Sequence, residues 1–538
     1  MTAGTHWGFA IGGTGVSLAY TNLVAGNVEN FIEPGIVTLR TGTNIGFGGT
    51  WPSATIAARQ FTGGFSYRSA SGRDLRAVAF AAPTLPVLGG STSPVSLTIQ
   101  NSAADPITSA QVGYQLNNGT VVTETWTGNL ATGQTTTHTF NGNITIPSQG
   151  NFTLKGFIGN ANGLGLDNNP ANDTIHQTLC PSISGSFTVG TGGDFASLST
   201  AITQFNVCGT SGPITLNLLL GIHSGTTIIP SYPGAVNGLT IQSSTGNRDD
   251  VLLTNGSNVG HVLFLDNAQN ITLQNISLRL QYPSTAPSAQ ISALNISGGN
   301  NVTVTNCSFV ADSIATSTFN RNISIVNCQN LLIQNSLIRD GYYGIYHTGS
   351  TAPAYSLNNR FIGNTFSNQY FYGAYFLRMG GIEFKGNRIN STRTGTTGTT
   401  SSYALRLDNC KGLDVSGNQI MGTFGAYGIY FGNCQMDTVN NRRNRMFNNV
   451  LSADFTNTTA PRALFVALSN TDGLDALEVA HNSFEVRSAL SSATAAGVIT
   501  LSGSTATAVT NTLAYFGFWN NSVELIRTSG TATGTSLM

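Results

Sequence analysis

Leu265 to Leu278 reads LDNAQNITLQNISL, and the sentence returns as IVNCQNLLIQNSLI from Ile325 and as LDNCKGLDVSGNQI from Leu407. Each version keeps an Asn ahead of its last apolar pair. Aligned on that letter, the chain yields Asn275, Asn306, Asn335, Asn364, Asn387, Asn418, Asn448, Asn482 and Asn521, separated by 23 to 39 residues. A period of this length means stacked units, none of which buries its apolar face alone. Short strands, and no helix-length amphipathic stretch, lie between the asparagines. The unit that fits is one coil of a right-handed parallel β-helix: about three short strands joined by turns, each pairing with its equivalent about 4.8 Å away in the next coil. At a tight corner Asn tolerates the left-handed (αL) conformation, and stacked Asn side chains can hydrogen-bond along the axis. The nine asparagines are therefore expected to form a ladder at one corner.

A second phrase keeps step with the first. Tyr343-Gly-Ile-Tyr346, Tyr372-Gly-Ala-Tyr375, Tyr403-Ala-Leu-Arg406 and Tyr427-Gly-Ile-Tyr430 recur at similar spacing. Strand alternation puts Ile345, Ala374, Leu405 and Ile429 inside. Tyr346, Tyr375, Arg406 and Tyr430 then share the outer face. Aromatic faces can stack on sugar rings and Arg can bond hydroxyls, so this stripe is the expected glycan-binding surface. The competing reading is that exposed Tyr simply suits strands and shields the sheet.

Composition agrees with an all-β chain. Of 538 residues 9% are charged and 40% apolar, and the net charge is zero. Nothing in that balance attracts a phosphate backbone or anionic lipid, so no nucleic-acid partner is expected. No apolar run approaches the roughly 20 residues of a membrane span, and no membrane insertion is expected. The opening MTAGTHWGFAIGGTGVSLAY has no basic n-region, while scarce Lys and Thr-rich strands read as extracellular. The chain is thus expected to be a piece of a longer secreted or cell-surface protein. None of the six Cys forms a CxxC pair, so a zinc site is not expected. Cys180 and Cys208 flank the start of the repeat region, where a disulfide competes with buried thiols.

Residues 1–86 read as a β-rich segment of unknown type, and the run AAPTLPVLGGSTSP, Ala81 to Pro94, reads as a linker. From Val95 to about Leu179 the period is two with turn residues every 8 to 12 positions, as in VSLTIQN, VVTETW and NFTLKGFI: a β-sandwich pattern, assigned to 87–180. This segment, with DNNPANDT (Asp167–Thr174) before its last strand, resembles the immunoglobulin-like adhesion modules of large secreted bacterial surface proteins. In VGTGGDFASLSTAITQF (Val189–Phe205), Phe195, Leu198, Ile202 and Phe205 stand at helical spacing. With the strand that follows, this stretch resembles the capping helix and first coil of pectin-lyase-like β-helices, which implies a β-helix over 181–525. Residues 526–538 read as a low-complexity tail.

The fold so implied hosts pectate lyases, polygalacturonases, pectin esterases, phage tailspikes and adhesins, and does not choose among them. Glycosidic hydrolysis needs two carboxylates across one bond. Here the polygalacturonase-like fragments Asp249-Asp250, Gly260-His261 and Asn470-Thr471-Asp472 stand in the wrong order, many coils apart. No catalytic residue is assigned. The best acidic cluster is Asp408, Lys411 and Asp414 beside Arg406. It is read either as a weak calcium or sugar site or as charges that keep the surface soluble; no other metal or cofactor is expected. His347 has the parity of Ile345 and is expected to be buried. Thr174, Ser313 and Thr438 lie in triplets that resemble the O-glycosylation signal of gliding-type bacteria. The function expected is structural or adhesive: a surface protein, possible part of a filament, with glycans, other cell-surface components or further copies as partners. A polysaccharide lyase or hydrolase is the alternative, and a phage tailspike the third.

Overall fold

The structure is a computed structural model. It describes residues 73–527 except 166, 256–259, 282–288, 313–316, 350–354, 392–401, 457–460, 468–475, 489–497 and 503–514, together with four short strands before residue 62. Those strands form two antiparallel pairs, Tyr20–Asn22 with Arg59–Phe61 and Asn30–Glu33 with Val37–Arg40. The rest of the segment 1–72 and the tail 528–538 lie outside the described residues.

The chain divides into two compact units. The first is a β-sandwich. One sheet has four strands in the order Thr174–Leu179, Phe152–Gly159, Ile107–Leu116, Val121–Leu130, and the other has three, Leu75–Ala82, Thr92–Asn101, Thr135–Thr145. The period-two pattern becomes alternating burial: along Phe152–Gly159 every second residue is buried. Leu97, Ile99, Val112 and Leu154 are among its buried side chains.

The second unit is a right-handed parallel β-helix, the hand that strand-to-parallel-strand crossovers take. Its coils feed three parallel sheets, here A, B and C, of 12, 11 and 10 strands. One coil runs from Gln269–Gln274 in sheet A through Ser277–Arg279 in sheet B; the next strand, Ile291–Ser297, lies in sheet C. Inward residues stack like on like. Leu265, Ile296, Ile325, His347, Phe376, Leu407, Phe431 and Val466 form one internal row of sheet C.

The A-to-B corner explains the repeated sentence and corrects its alignment. Each corner has two residues: one in αL, and a second turned inward. The αL places are held by Asn275, Asn306, Asn335, Gly363, Gly386, Gly417, Asn448, His481 and Asn520, with φ between 50° and 67°. The inward places are held by Ile276, Cys307, Ser336, Asn364, Asn387, Asn418, Asn449, Asn482 and Asn521. The nine asparagines read as one column therefore occupy two neighbouring rows. Asn275, Asn306, Asn335 and Asn448 are outer αL residues, and Asn364, Asn387, Asn418, Asn482 and Asn521 are inner. Gly takes the αL place from 363 to 417, so the letter N slips by one residue while the backbone keeps register.

Both rows hydrogen-bond along the axis. In the outer one, Asn306 Nδ2 donates to Asn275 Oδ1 at 2.7 Å. In the inner one, Asn364, Asn387, Asn418 and Asn449 each donate both backbone N–H and Nδ2–H to Oδ1 of the next Asn, ending at Asn482. Asn482 does the same to Asn521.

At the low-numbered end the helix Leu198–Cys208 covers the first coils with Leu198, Ala201, Ile202 and Phe205. It starts later than the periodicity predicts. Asp194 bonds back to Thr188 in a turn, and Ser197 accepts from Thr200 N as the N-cap. Cys208 closes the helix and is disulfide-bonded to Cys180, 28 residues away. Closing a loop of that length stabilises by about 3–4 kcal/mol in the chain-entropy account. A Cys180→Ser/Cys208→Ser variant is thus expected to melt several degrees below the parent chain. Coincident melting curves would show that apolar packing holds the cap unaided.

Candidate functional site

Sheet C carries the tyrosine phrase. Ile345, Ala374, Leu405 and Ile429 are buried inside, and Tyr346, Tyr375, Arg406 and Tyr430 lie on the outer face, paired in register across successive strands. Alternation does not extend to the first residue of each phrase. Tyr343, Tyr372, Tyr403 and Tyr427 have the parity of Ile345, yet they cluster with the outer tyrosines. After each of them two successive residues turn inward (Gly344-Ile345, Gly373-Ala374, Ala404-Leu405), as Val262-Leu263 and Asn322-Ile323 do in earlier strands of the sheet. A Cβ on Gly344 would stand 2.3 Å from Gly373 O, and one on Gly373 2.4 Å from Ala404 O. At this column (Gly344, Gly373, Ala404, Gly428, Ala463) successive coils approach closely. The alternation breaks there, so residues three apart share the outer face.

Two rows result. The first reads Arg321, Tyr343, Tyr372, Tyr403, Tyr427, Arg462; the second reads Ser324, Tyr346, Tyr375, Arg406, Tyr430, Phe465. Tyr342, Tyr370 and Phe371 adjoin them. The rings stack mainly on each other. Tyr343 and Tyr372 are 5.2 Å apart and 19° from parallel, Tyr403 and Tyr427 4.6 Å and 6°, Tyr430 and Phe465 4.9 Å and 16°. Tyr343, Tyr372 and Tyr403 are less than a tenth exposed. A flat platform of ring faces is therefore not what this sheet offers. Burial pushes the Tyr343, Tyr372, Tyr375 and Tyr403 hydroxyls well above the usual phenol range, so they stay neutral donors and acceptors.

Arginines are threaded between the rings. Arg406 lies 4.7 Å from the Tyr430 ring centroid and 5.1 Å from that of Tyr403. It bonds the Tyr372 hydroxyl at 3.1 Å and pairs with Asp408 at 2.7 Å. Burial raises the Asp408 carboxyl, against the pull of Arg406 and a hydrogen bond from Tyr375.

The acidic pair read as a weak calcium site does not assemble. Asp408 belongs to sheet C with Arg406, whereas Asp414 belongs to sheet A, where it pairs with Lys385 at 3.0 Å. Lys411 faces Asp437 at 3.8 Å. Coil geometry sends residues six apart to different sheets, which proximity in sequence conceals. Among the described residues no group of three or more His, Cys, Asp and Glu could hold a metal ion. Cys307, Cys328, Cys410 and Cys434 are free thiols. Thr174 and Thr438 are exposed, and Ser313 lies outside the described residues.

The sequence reading missed the first tyrosine row and both terminal arginines. The repeated Gly or Ala after each leading Tyr is the letter that could have revealed the break in alternation.

No protein-family model and no curated protein matches the chain. Solved structures similar to it include PfbA, a surface adhesin of Streptococcus pneumoniae, at 14% identity over 62% of this chain and 88% of that one, TM-score 0.37. The pectin methylesterase from carrot is similar at 13% identity over 62% and 88%, TM-score 0.25. A third, the gp42 tailspike of an Acinetobacter phage, has 13% identity over 66% and 65%, TM-score 0.31. Among the described residues no helix is long and apolar enough to cross a membrane.

Proposed function

We propose that this chain is a secreted or surface-exposed binding protein that uses its β-helix as a rigid bar and sheet C as its ligand face, with cell-surface glycans as ligands that it holds without chemical change. The observation that carries this reading is the field of stacked tyrosines and arginines spanning six strands of sheet C. Its side chains are already fixed by mutual packing, so little further ordering opposes binding. Its hydroxyls, guanidinium groups and amides suit a ligand rich in hydroxyls.

Charge placement favours binding over hydrolysis. On the outward positions of sheet C between Arg321 and Arg462, Asp408 is the one carboxylate among the described residues. The nearest in its row, Asp266, is five strands away, about 24 Å. Paired carboxyls in glycosidases stand about 5–9.5 Å apart. The Cys180–Cys208 disulfide supports an oxidising compartment.

The test is incubation with a panel of acidic and neutral polysaccharides, following reducing and unsaturated ends together with retained binding. Binding without new ends, weakened about tenfold or more by Tyr375→Ala or Tyr430→Ala, is the expected result. Turnover lost in Asp408→Ala would make the chain an enzyme. Neither binding nor turnover would leave a structural, self-associating role.

A further inference from the structure

We infer that the ligand of sheet C is a linear acidic glycan, its carboxylates held by Arg321 and Arg462 at the two ends of the tyrosine row. This rests on the proposal that sheet C binds glycan, and it names the ligand's chemical class.

The two arginines lack the ion pairs that six other described arginines make. Arg248, Arg339, Arg406, Arg443, Arg445 and Arg487 each have a carboxylate within 4.0 Å. Arg321 and Arg462 have none among the described residues, though both are only partly exposed. Each instead rests on aromatic rings. The Arg321 guanidinium lies 3.8 Å from the Tyr346 ring centroid, and that of Arg462 lies 4.8 Å from Phe465. Cation–π contact orients a charge without neutralising it.

Their aim is fixed by polar neighbours. Arg321 donates to Gln290 Oε1 at 3.0 Å and Ser324 Oγ at 3.2 Å, and Gln290 in turn donates to Ser324 Oγ at 2.6 Å. Arg462 donates to the Tyr427 hydroxyl at 2.9 Å. In both, the buried Nε–H finds no acceptor. These are cations set among rings, where a missing anion costs more than in open water.

The balance of the whole face points the same way. From Arg321 to Arg462, the outward positions of sheet C hold three arginines (Arg321, Arg406, Arg462) and one carboxylate (Asp408), a net +2 in a chain whose net charge is zero. Five strand steps separate Arg321 from Arg462, about 24 Å along the axis. Between them each coil carries tyrosines at the strand repeat. Beyond Arg321, the His261 ring bonds Ser292 at 2.8 Å and Asn295 at 3.1 Å. A ligand matching all of this is extended and hydroxylated, and carries well-spaced negative charge; a run of Asp and Glu carries the charge without the hydroxyls.

The experiment measures binding of sodium alginate, neutral dextran and polyglutamate to the full chain at low and raised salt. The variants are R321Q, R462Q, their double, R321K, and R279Q as a charge-matched change on the exposed face of sheet B, each first checked for an unaltered melting curve. Alginate binding should weaken with salt, fall about tenfold in each single Gln variant and on the order of a hundredfold in the double, and survive R279Q. R321K, which keeps the charge without the planar fork, should fall between. Equal binding of dextran, or alginate binding indifferent to R321Q and R462Q, would overturn the acidic class and leave the glycan reading standing. Polyglutamate binding more tightly than alginate would reassign the face to acidic proteins. No binding of any polymer would remove both readings.

Discussion

Replacing Asn449 by Ala is expected to destabilise the β-helix by about 3–5 kcal/mol, while Asn448→Gly, one residue earlier, changes stability by less than about 0.5 kcal/mol. Asn449 is 1% exposed. Its Nδ2 donates to Val415 O at 2.9 Å, Phe447 O at 3.1 Å and Asn482 Oδ1 at 2.8 Å. Its Oδ1 accepts from the backbone N of Asn418 at 3.0 Å and from Asn418 Nδ2 at 2.8 Å. Truncation strands these partners in the interior, where water cannot replace the lost side chain. Asn448 is exposed and sits at φ 57°, a conformation that Gly adopts without strain. Equilibrium urea unfolding of the two variants checks the difference. Equal costs at the two positions would show that the inner row is not what joins these coils.

That pair of variants also marks how far the letters alone reach. Three parallel sheets were legible because the period of the sentence exceeds a hairpin's and contains no helix. The row was not, because Asn and Gly answer the same conformational demand at the corner. A column aligned on Asn thus mixes residues chosen for φ with residues chosen for their amide. Only the register of neighbouring strands separates Asn335 from Ser336 and Gly363 from Asn364.

The binding face shows a similar limit. Tyr346, Tyr375, Arg406 and Tyr430 follow from alternation along the strand. Tyr343, Tyr372, Tyr403 and Tyr427 do not, because two successive inward residues follow each of them and break the period of two. Nor does sequence reveal that ring faces cover one another, or that Asp414 lies on another sheet from Asp408. These depend on which coil follows which, and therefore on contacts about thirty residues apart.

His347 supplies an acid limit to the β-helix. It is fully buried, its ring 6.2 Å from Phe361 and 6.3 Å from Phe376, and neither ring nitrogen has a hydrogen-bond partner. Burial pushes its pKa down from 6.5 to about 3. Between those values the unfolded chain binds a proton that the folded chain refuses. Stability contributed by the neutral ring is therefore fully present above about pH 6.5 and is lost as pH falls toward 3. One such group gives a slope of about 1.4 kcal/mol per pH unit across that window. His261, lowered to about 4 by burial and by the charge of Arg321, adds a second slope of the same sign between about pH 6.5 and 4. The His347 row continues as Phe376, Leu407, Phe431 and Val466, so Leu at 347 fits its apolar surroundings. His347→Leu is expected to match or exceed the parent chain at pH 7.5 and to outlast it by about 2–3 kcal/mol at pH 4.5, by denaturant unfolding across pH. The comparison cancels the carboxylates, which titrate alike in both chains. Parallel stability curves from pH 7.5 to pH 4 would mean that the His347 ring takes up its proton inside the folded coil.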